Sequence, residues 1–276
     1  MKRILIPIDF SENADRILAA AKAIAAKTQA RLFIFHSYQP YVPDVTIPVG
    51  VETLPVYEEL QASLQNQLNE LVEKAEAEGF EAEAVWEMGG IHSSVIAQAK
   101  KTDADLIVIG RTGKGGFFDK LIGSSATGIA LDAPCPVLVI PPQAESNGFH
   151  EVVYATQLEY EENDILRQVF GLGRQLGSRL SLVKISSLEQ PDIQDDQQYI
   201  HQIKAEFGDT AREIVVRKAG SVRGGIEDYC EEVKADLLIV SARHRGFLEE
   251  FLINPSVTKK LILNTHIPLL VYHLNV

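Results

Sequence analysis

Ala104-Asp105-Leu106-Ile107-Val108-Ile109-Gly110 and Ala235-Asp236-Leu237-Leu238-Ile239-Val240-Ser241 are one pattern written twice, 131 residues apart. Each holds a short run that is apolar at every position, too short for a helix. A strand covered on both faces reads this way, as at the centre of a parallel sheet. Working outward, Lys2-Arg3-Ile4-Leu5-Ile6 lies over His150-Glu151-Val152-Val153-Tyr154 at an offset of 148. That register continues without a gap through Ile17 over Ile165, Leu18 over Leu166 and Arg31-Leu32 over Arg179-Leu180. Gly89 lies over Gly220 at offset 131, and Pro136 over Pro268 at 132. The drop in offset gives the first copy about 17 extra residues in its middle. Two copies in one order predict two lobes of one fold, residues 1–144 and 148–276. The linker, Pro141 to Gly148, is rich in turn formers and lacks a hydrophobic period.

Each copy reads β-α-β-α-β-α-β-α-β. In the first, Arg3 to Ile8 is an apolar run ending at Asp9-Phe10-Ser11. Ser11 is placed to cap a helix whose Ile17, Leu18, Ala21, Ile24 and Ala25 share a face. Arg31 to Phe35 is a second strand. Glu58 to Glu78 is a long helix, with Gly79 as its stop. Glu81 to Trp86 is an outer strand, Ser94 to Lys101 a short helix, and Val137 to Ile140 a fifth strand. Strands alternating with helices predict an α/β fold with right-handed crossovers. Gln39 to Pro55, with four prolines, breaks the alternation and reads as a long exposed loop: a lid, a partner contact or a plain insertion.

The composition agrees. At 276 residues, 46% hydrophobic and 23% charged, the chain is ordinary globular protein of about two domains. Its 26 basic against 38 acidic residues leave a net charge of −12, which argues against a phosphate-tracking nucleic-acid surface. Cys135 and Cys230 are too few for a disulfide framework and read as buried small hydrophobes in a reduced, cytoplasmic chain. The start, MKRILIPIDF, is a poor signal peptide. The stretch Leu261 to Val276 is too short and polar to span a membrane. The seven histidines include no HExxH spacing, and no GxSxG elbow or Walker A motif occurs. Trp86 reads as a packing residue.

The chemistry gathers after the central strand of the first copy. Gly110-Arg111-Thr112-Gly113 is followed, nine residues after Gly113, by Gly123-Ser124-Ser125 and then the apolar Ala126 to Leu131. Glycine permits close backbone approach, and a helix N-terminus offers unpaired N–H groups to a phosphate. Arg111, Lys114 and Lys120 add positive charge. If the first and fourth strands are neighbours, Asp9 faces this loop across the crevice where strand order reverses, within reach of a base or ribose. Plain turn glycines and a turn carboxylate are the alternative.

With those residues in place, the chain resembles a tandem universal stress protein over nearly its whole length. The resemblance rests on Ile6-Pro7-Ile8-Asp9-Phe10-Ser11, on His36 ending the second strand, and on the G-x2-G-x9-G-S spacing. It implies two doubly wound domains, each a five-stranded parallel sheet of order 3-2-1-4-5, with lobes or subunits paired through their fifth strands. It implies ATP, with or without magnesium, as the cofactor. Pro7, Ile8, Asp9 and Ser37 would surround adenine and ribose. Ile109, Gly110, Thr112 and Gly113 would lie beside the ribose and phosphates, and Gly123, Ser124, Ser125 and Ala126 on the phosphates.

The second copy departs from that pattern. Pro7 becomes Ala155, Asp9 becomes Gln157, Gly110 becomes Ser241 and Gly113 becomes His244. Gly123-Ser124 becomes Asn254-Pro255, allowing a one-residue slip. A Cβ at the glycine position and a proline without an N–H both weaken phosphate binding. Arg243, His244 and Arg245 form a small basic cluster, read as a solvated loop or as a site for another anion. The expectation is one ATP site, in the first lobe, acting as a conformational switch in a stress-response regulator with an unidentified protein partner and little or no hydrolysis. No residue pair is committed to catalysis. A homodimer is a further implication of the resemblance. The alternatives are a slow ATPase or adenylate-handling enzyme, and a small-ligand module using the second lobe.

Overall fold

The first copy runs β1 (Arg3–Pro7), α1 (Ala14–Thr28), β2 (Arg31–Tyr38), α2 (Leu54–Ala77), β3 (Ala82–Met88), α3 (Ile91–Lys101), β4 (Leu106–Gly110), α4 (Ser124–Asp132) and β5 (Val137–Ile140). The second repeats it as β6 (Glu151–Ala155), α5 (Asn163–Leu176), β7 (Arg179–Ser186), α6 (Asp196–Phe207), β8 (Ala211–Lys218), α7 (Val222–Val233), β9 (Leu237–Arg243), α8 (Val257–Asn264) and β10 (Leu269–Leu274). This computed structural model describes residues 1–39, 54–111, 124–144, 148–158, 162–187, 196–208, 211–243 and 257–274. Most of the proline-rich segment expected as a loop therefore lies outside the described residues.

All ten strands join one sheet, in the order β3-β2-β1-β4-β5-β10-β9-β6-β7-β8. Each lobe is parallel, with the order 3-2-1-4-5 in its own count. The lobes meet where β5 and β10 pair antiparallel, Leu138 opposite Leu270. Helices cover both faces, as a doubly wound fold requires. On one face Ile17 and Ile24 of α1, Leu68 of α2, Phe170 of α5 and Tyr199 of α6 pack in a single apolar layer. On the other, Val95 of α3, Ile129 of α4, Tyr229 of α7 and Leu261 of α8 form a second. Both layers run across the β5–β10 seam, so the lobes share their cores.

The repeated Ala-Asp-Leu pattern has a second role that its apolar run conceals. Asp105 Oδ2 accepts the Lys2 and Arg3 N–H groups at 2.6 and 2.9 Å. Asp236 accepts those of His150 and Glu151 at 2.6 and 2.9 Å. In each lobe this carboxylate pins the start of the first strand to the start of the fourth.

Several boundaries differ from the sequence reading: β2 runs on past Phe35 and His36 to Tyr38, and β3 spans Ala82–Met88 rather than Glu81 to Trp86. Helix α2 begins at Leu54, four residues before Glu58, with Pro55 in a first turn that needs no N–H from it. Helix α3 begins at Ile91 rather than Ser94. Ser11 is not the cap of α1: Asn13 holds that position. Ser11 instead takes the Asn13 N–H on its Oγ and the Ala14 N–H on its carbonyl. Gly79 does end α2, at a left-handed φ of 91°. The extra length of the first copy lies largely in α2, 24 residues against 12 in α6.

Candidate functional site

Strand β1 is the pivot of the first lobe. It pairs with β2 along its whole length, to Pro7 opposite Phe35. With β4 it pairs only at Ile4–Leu106 and Leu5–Ile107. Strand β4 meanwhile stays with β5 to Gly110 opposite Ile140. The β1–β4 hydrogen-bond ladder thus stops short of the strands' carboxyl ends, while each strand stays hydrogen-bonded to its outer neighbour. The crevice lies where the strand order reverses, the place where open α/β sheets take ligands. Its cause is local. The Ile8 N–H points to β2, donating to Phe35 at 2.8 Å. Alternation turns position 7 towards β4, and Pro7 has no N–H to give.

The rim of the crevice carries the residues expected there. Ile8 is buried, while Asp9 is exposed and accepts the Ser11 N–H on Oδ1 at 3.0 Å. Phe10 follows at a left-handed φ of 54°, which turns the chain sharply. Ile109 and Gly110 end β4 opposite. Ser37 donates its Oγ–H to the Gly89 carbonyl at 2.6 Å, so its hydroxyl fixes the β2–β3 corner and offers a ligand lone pairs only. Helix α4 opens at Ser124-Ser125, with Ser125 exposed and Ala126 buried. Thr112, Gly113 and Gly123 lie outside the described residues, as do Lys114, Lys120, His244 and Asn254-Pro255 of the second copy.

Beside Ile8 stands an aromatic group drawn from residues far apart in the sequence. His36 Nδ1 donates to the Ile8 carbonyl at 2.7 Å. Its ring lies 4.7 Å from Phe10 and 5.2 Å from Trp86, and Trp86 stacks on Tyr38 at 5.9 Å. Burial lowers the His36 pKa, against the raising effects of the Ile8 carbonyl and of the Asp9 charge. His36 and Trp86 are register partners on β2 and β3. Sequence spacing could reveal this only once the strand order was known. Arg111, one residue past Gly110, is half-buried, and its burial lowers its pKa. Its guanidinium donates to the carbonyl of Thr265, in the second lobe. His273 of β10 reaches back to the Ala130 carbonyl of α4 at 2.9 Å. The first lobe's crevice is therefore bounded by two elements that hold the second lobe.

The donor set fits an adenine nucleotide: an apolar wall for a base, a carboxylate for hydroxyls, and a helix N-terminus for phosphate. Among the described residues no group of three His, Cys, Asp or Glu is placed to hold a metal. No described helix is long and apolar enough to cross a membrane. Cys135 and Cys230 are buried, and burial pushes both thiols up to about 12.

Comparison with known proteins adds an independent line. The universal stress protein family model matches residues 1–141 and again residues 149–273. A universal stress protein of Thermus aquaticus is 35% identical over 145 residues, covering 50% of this chain and 98% of its own. One from Methanocaldococcus jannaschii is 36% identical over 143 residues, covering 50% of this chain and 81% of its own. Among solved structures, a universal stress protein from Archaeoglobus fulgidus superimposes with a TM-score of 0.76 at 19% identity. That match covers 99% of this chain and 96% of the other, and is a likeness of fold.

Proposed function

The chain belongs to the universal stress protein family, twice over, and from that premise we propose that its first lobe binds one adenine nucleotide, ATP, as the switch of a stress-response regulator. The strand-order reversal between β1 and β4, where their ladder ends after Leu5–Ile107, carries this reading, because open α/β sheets take ligands there. Ile8 and Phe10 take the base side, and Asp9 the ribose hydroxyls. The amides of Gly123, Ser124, Ser125 and Ala126 take the phosphates, with Ile109, Gly110, Thr112 and Gly113 beside the ribose and phosphates. Magnesium travels with the phosphates. Hydrolysis is slow or absent. His36, the imidazole beside the crevice, is committed through Nδ1 to Ile8 and serves the wall. The switch acts because the ligand orders strand ends that adjoin Arg111 and α4, and both hold the second lobe. Its output is a contact with a protein partner or a second chain.

Native mass spectrometry with and without added ATP tests this directly. One ATP per chain, lost in Gly123→Val, is the expected result. Trp86, the single tryptophan, reports the same event by fluorescence. No nucleotide under any loading would end the proposal, and two per chain would end its restriction to the first lobe.

A further inference from the structure

The second lobe keeps the chain path of the first and fills the matching position with a side chain of its own. The β6–β9 ladder runs from Val152–Leu237 through Ala155–Val240, two pairs beyond the last pair of the β1–β4 ladder. Leu158 turns the chain at φ 56°, as Phe10 does at 54°. Into the strand ends comes Glu162, only 1% exposed, from the N-cap of α5. Its Oε1 accepts from the Tyr154 hydroxyl at 2.6 Å and the Ser241 hydroxyl at 2.8 Å. Its Oε2 accepts from the Thr156 hydroxyl at 2.7 Å and the Gln157 N–H at 2.9 Å. The Leu158 N–H occupies a lone pair of Thr156 Oγ1 at 2.8 Å, so the one hydroxyl proton of Thr156 is directed at Glu162. Burial and the Glu162 charge push the Tyr154 phenol well above its ordinary pKa, which keeps it a donor. Among the described residues, these four donors converge on the two carboxylate oxygens, the kind of complement that an anion needs.

Three of these donors have counterparts in the first lobe's crevice. Thr156, Gln157 and Ser241 stand where the first copy has Ile8, Asp9 and Gly110, and Glu162 stands where it has Ala14. The donors also come from both sides of the strand-order reversal, β6 with its following loop and the end of β9. We infer that Glu162 is a built-in ligand: the second lobe is a receptor for a carboxylate group that the chain itself supplies, and this occupant fills the place at the strand-order reversal where the first lobe has only Ala14. An incoming phosphate would meet a closed ladder and a buried anion. The inference rests on the second lobe alone and does not need the first to bind nucleotide.

Chemical rescue tests it in the full chain. Glu162→Ala leaves four donors around an emptied space. The thermal midpoint should fall by about 10 °C. Sodium formate should restore at least half of that loss, saturably, while sodium chloride at equal ionic strength does not, and the wild type should ignore formate. Equal effects of formate and chloride on the variant would overturn the inference. If Glu162→Ala yields folded protein only when refolded with formate, that also supports it. If it folds under neither condition, Tyr154→Phe and Ser241→Ala decide the matter. Each should lower the midpoint by a few degrees, and the pair by less than the sum, since both serve Oε1. Midpoints unchanged from the wild type would overturn it.

Discussion

Single carboxylates and one imidazole show how much a residue's neighbours decide. Asp105 and Asp236 look like strand-edge polar residues in the sequence, yet each takes two N–H groups from the strand start beside it. Such charge-assisted bonds are worth roughly 1.5–3 kcal/mol apiece before solvent screening at the sheet edge reduces them. Asp105→Ala and Asp236→Ala should each destabilise the protein by about 1–2 kcal/mol in urea unfolding. Equal loss from both would follow from the repeat, and a silent Asp236→Ala would break the equivalence. His36 makes a different prediction. Burial lowers its pKa in the folded chain, so below about 6.5 the unfolded chain binds its proton first. The stability His36 confers is therefore full at neutral pH and declines as pH falls from about 6.5 towards the lowered folded value. His36→Phe keeps the ring packing and removes the titration. Its unfolding free energy should vary less between pH 7 and 5 than that of the wild type; parallel curves would show that His36 is not the titrating group.

At the scale of elements, one backbone proton separates the two central ladders. Pro7 ends the β1–β4 ladder, whereas Ala155 at the matching position lets β6 and β9 stay paired through Ala155–Val240. Pro7→Ala should supply the missing N–H and extend the β1–β4 ladder, weakening the proposed ATP binding at least tenfold while leaving the protein as stable or slightly more so. Titration followed by Trp86 fluorescence reads the affinity, and hydrogen exchange of the new backbone amide at that position reads the ladder. Unchanged affinity would separate the crevice from the ladder. This is also where sequence reading reached its limit. The apolar runs of Leu106 to Ile109 and Leu237 to Val240 show buried parallel strands directly, because burial on both faces leaves no alternation. The positions of Asp9 and Gly110 at the ends of β1 and β4 were legible from the apolar runs before them. The proline at position 7 was legible as a residue, but its effect depends on which neighbour its missing N–H would face. Glu162 gave no signal at all, since a carboxylate near a helix start is ordinary on a surface, and only Tyr154, Thr156 and Ser241 closing around it make it a buried anion.

Across the whole molecule, the antiparallel β5–β10 pairing turns two repeats into one sheet with two continuous cores. Leu138 and Leu270, opposite each other at the seam, are both buried, so neither lobe presents a finished edge there. A lobe that opened alone would expose this edge and half of each apolar layer. The chain should therefore unfold in one transition, with calorimetric and van 't Hoff enthalpies in agreement. Ligand binding then stabilises more than the lobe it occupies. Under the proposed binding, ATP at a hundred times its dissociation constant would add about 2.7 kcal/mol to every opening that destroys the site. If that opening is global, amides of β7 and α7 in the second lobe should gain protection together with those of β1 and β4. Leu270→Lys, which places an ammonium in the seam, should break the linkage: two transitions appear, and ATP moves only one. Two transitions already present in the wild type, with ATP protecting only the first lobe, would mean that the shared sheet joins the lobes in space without joining them in energy, and the second lobe could not then receive the switch's signal through the fold.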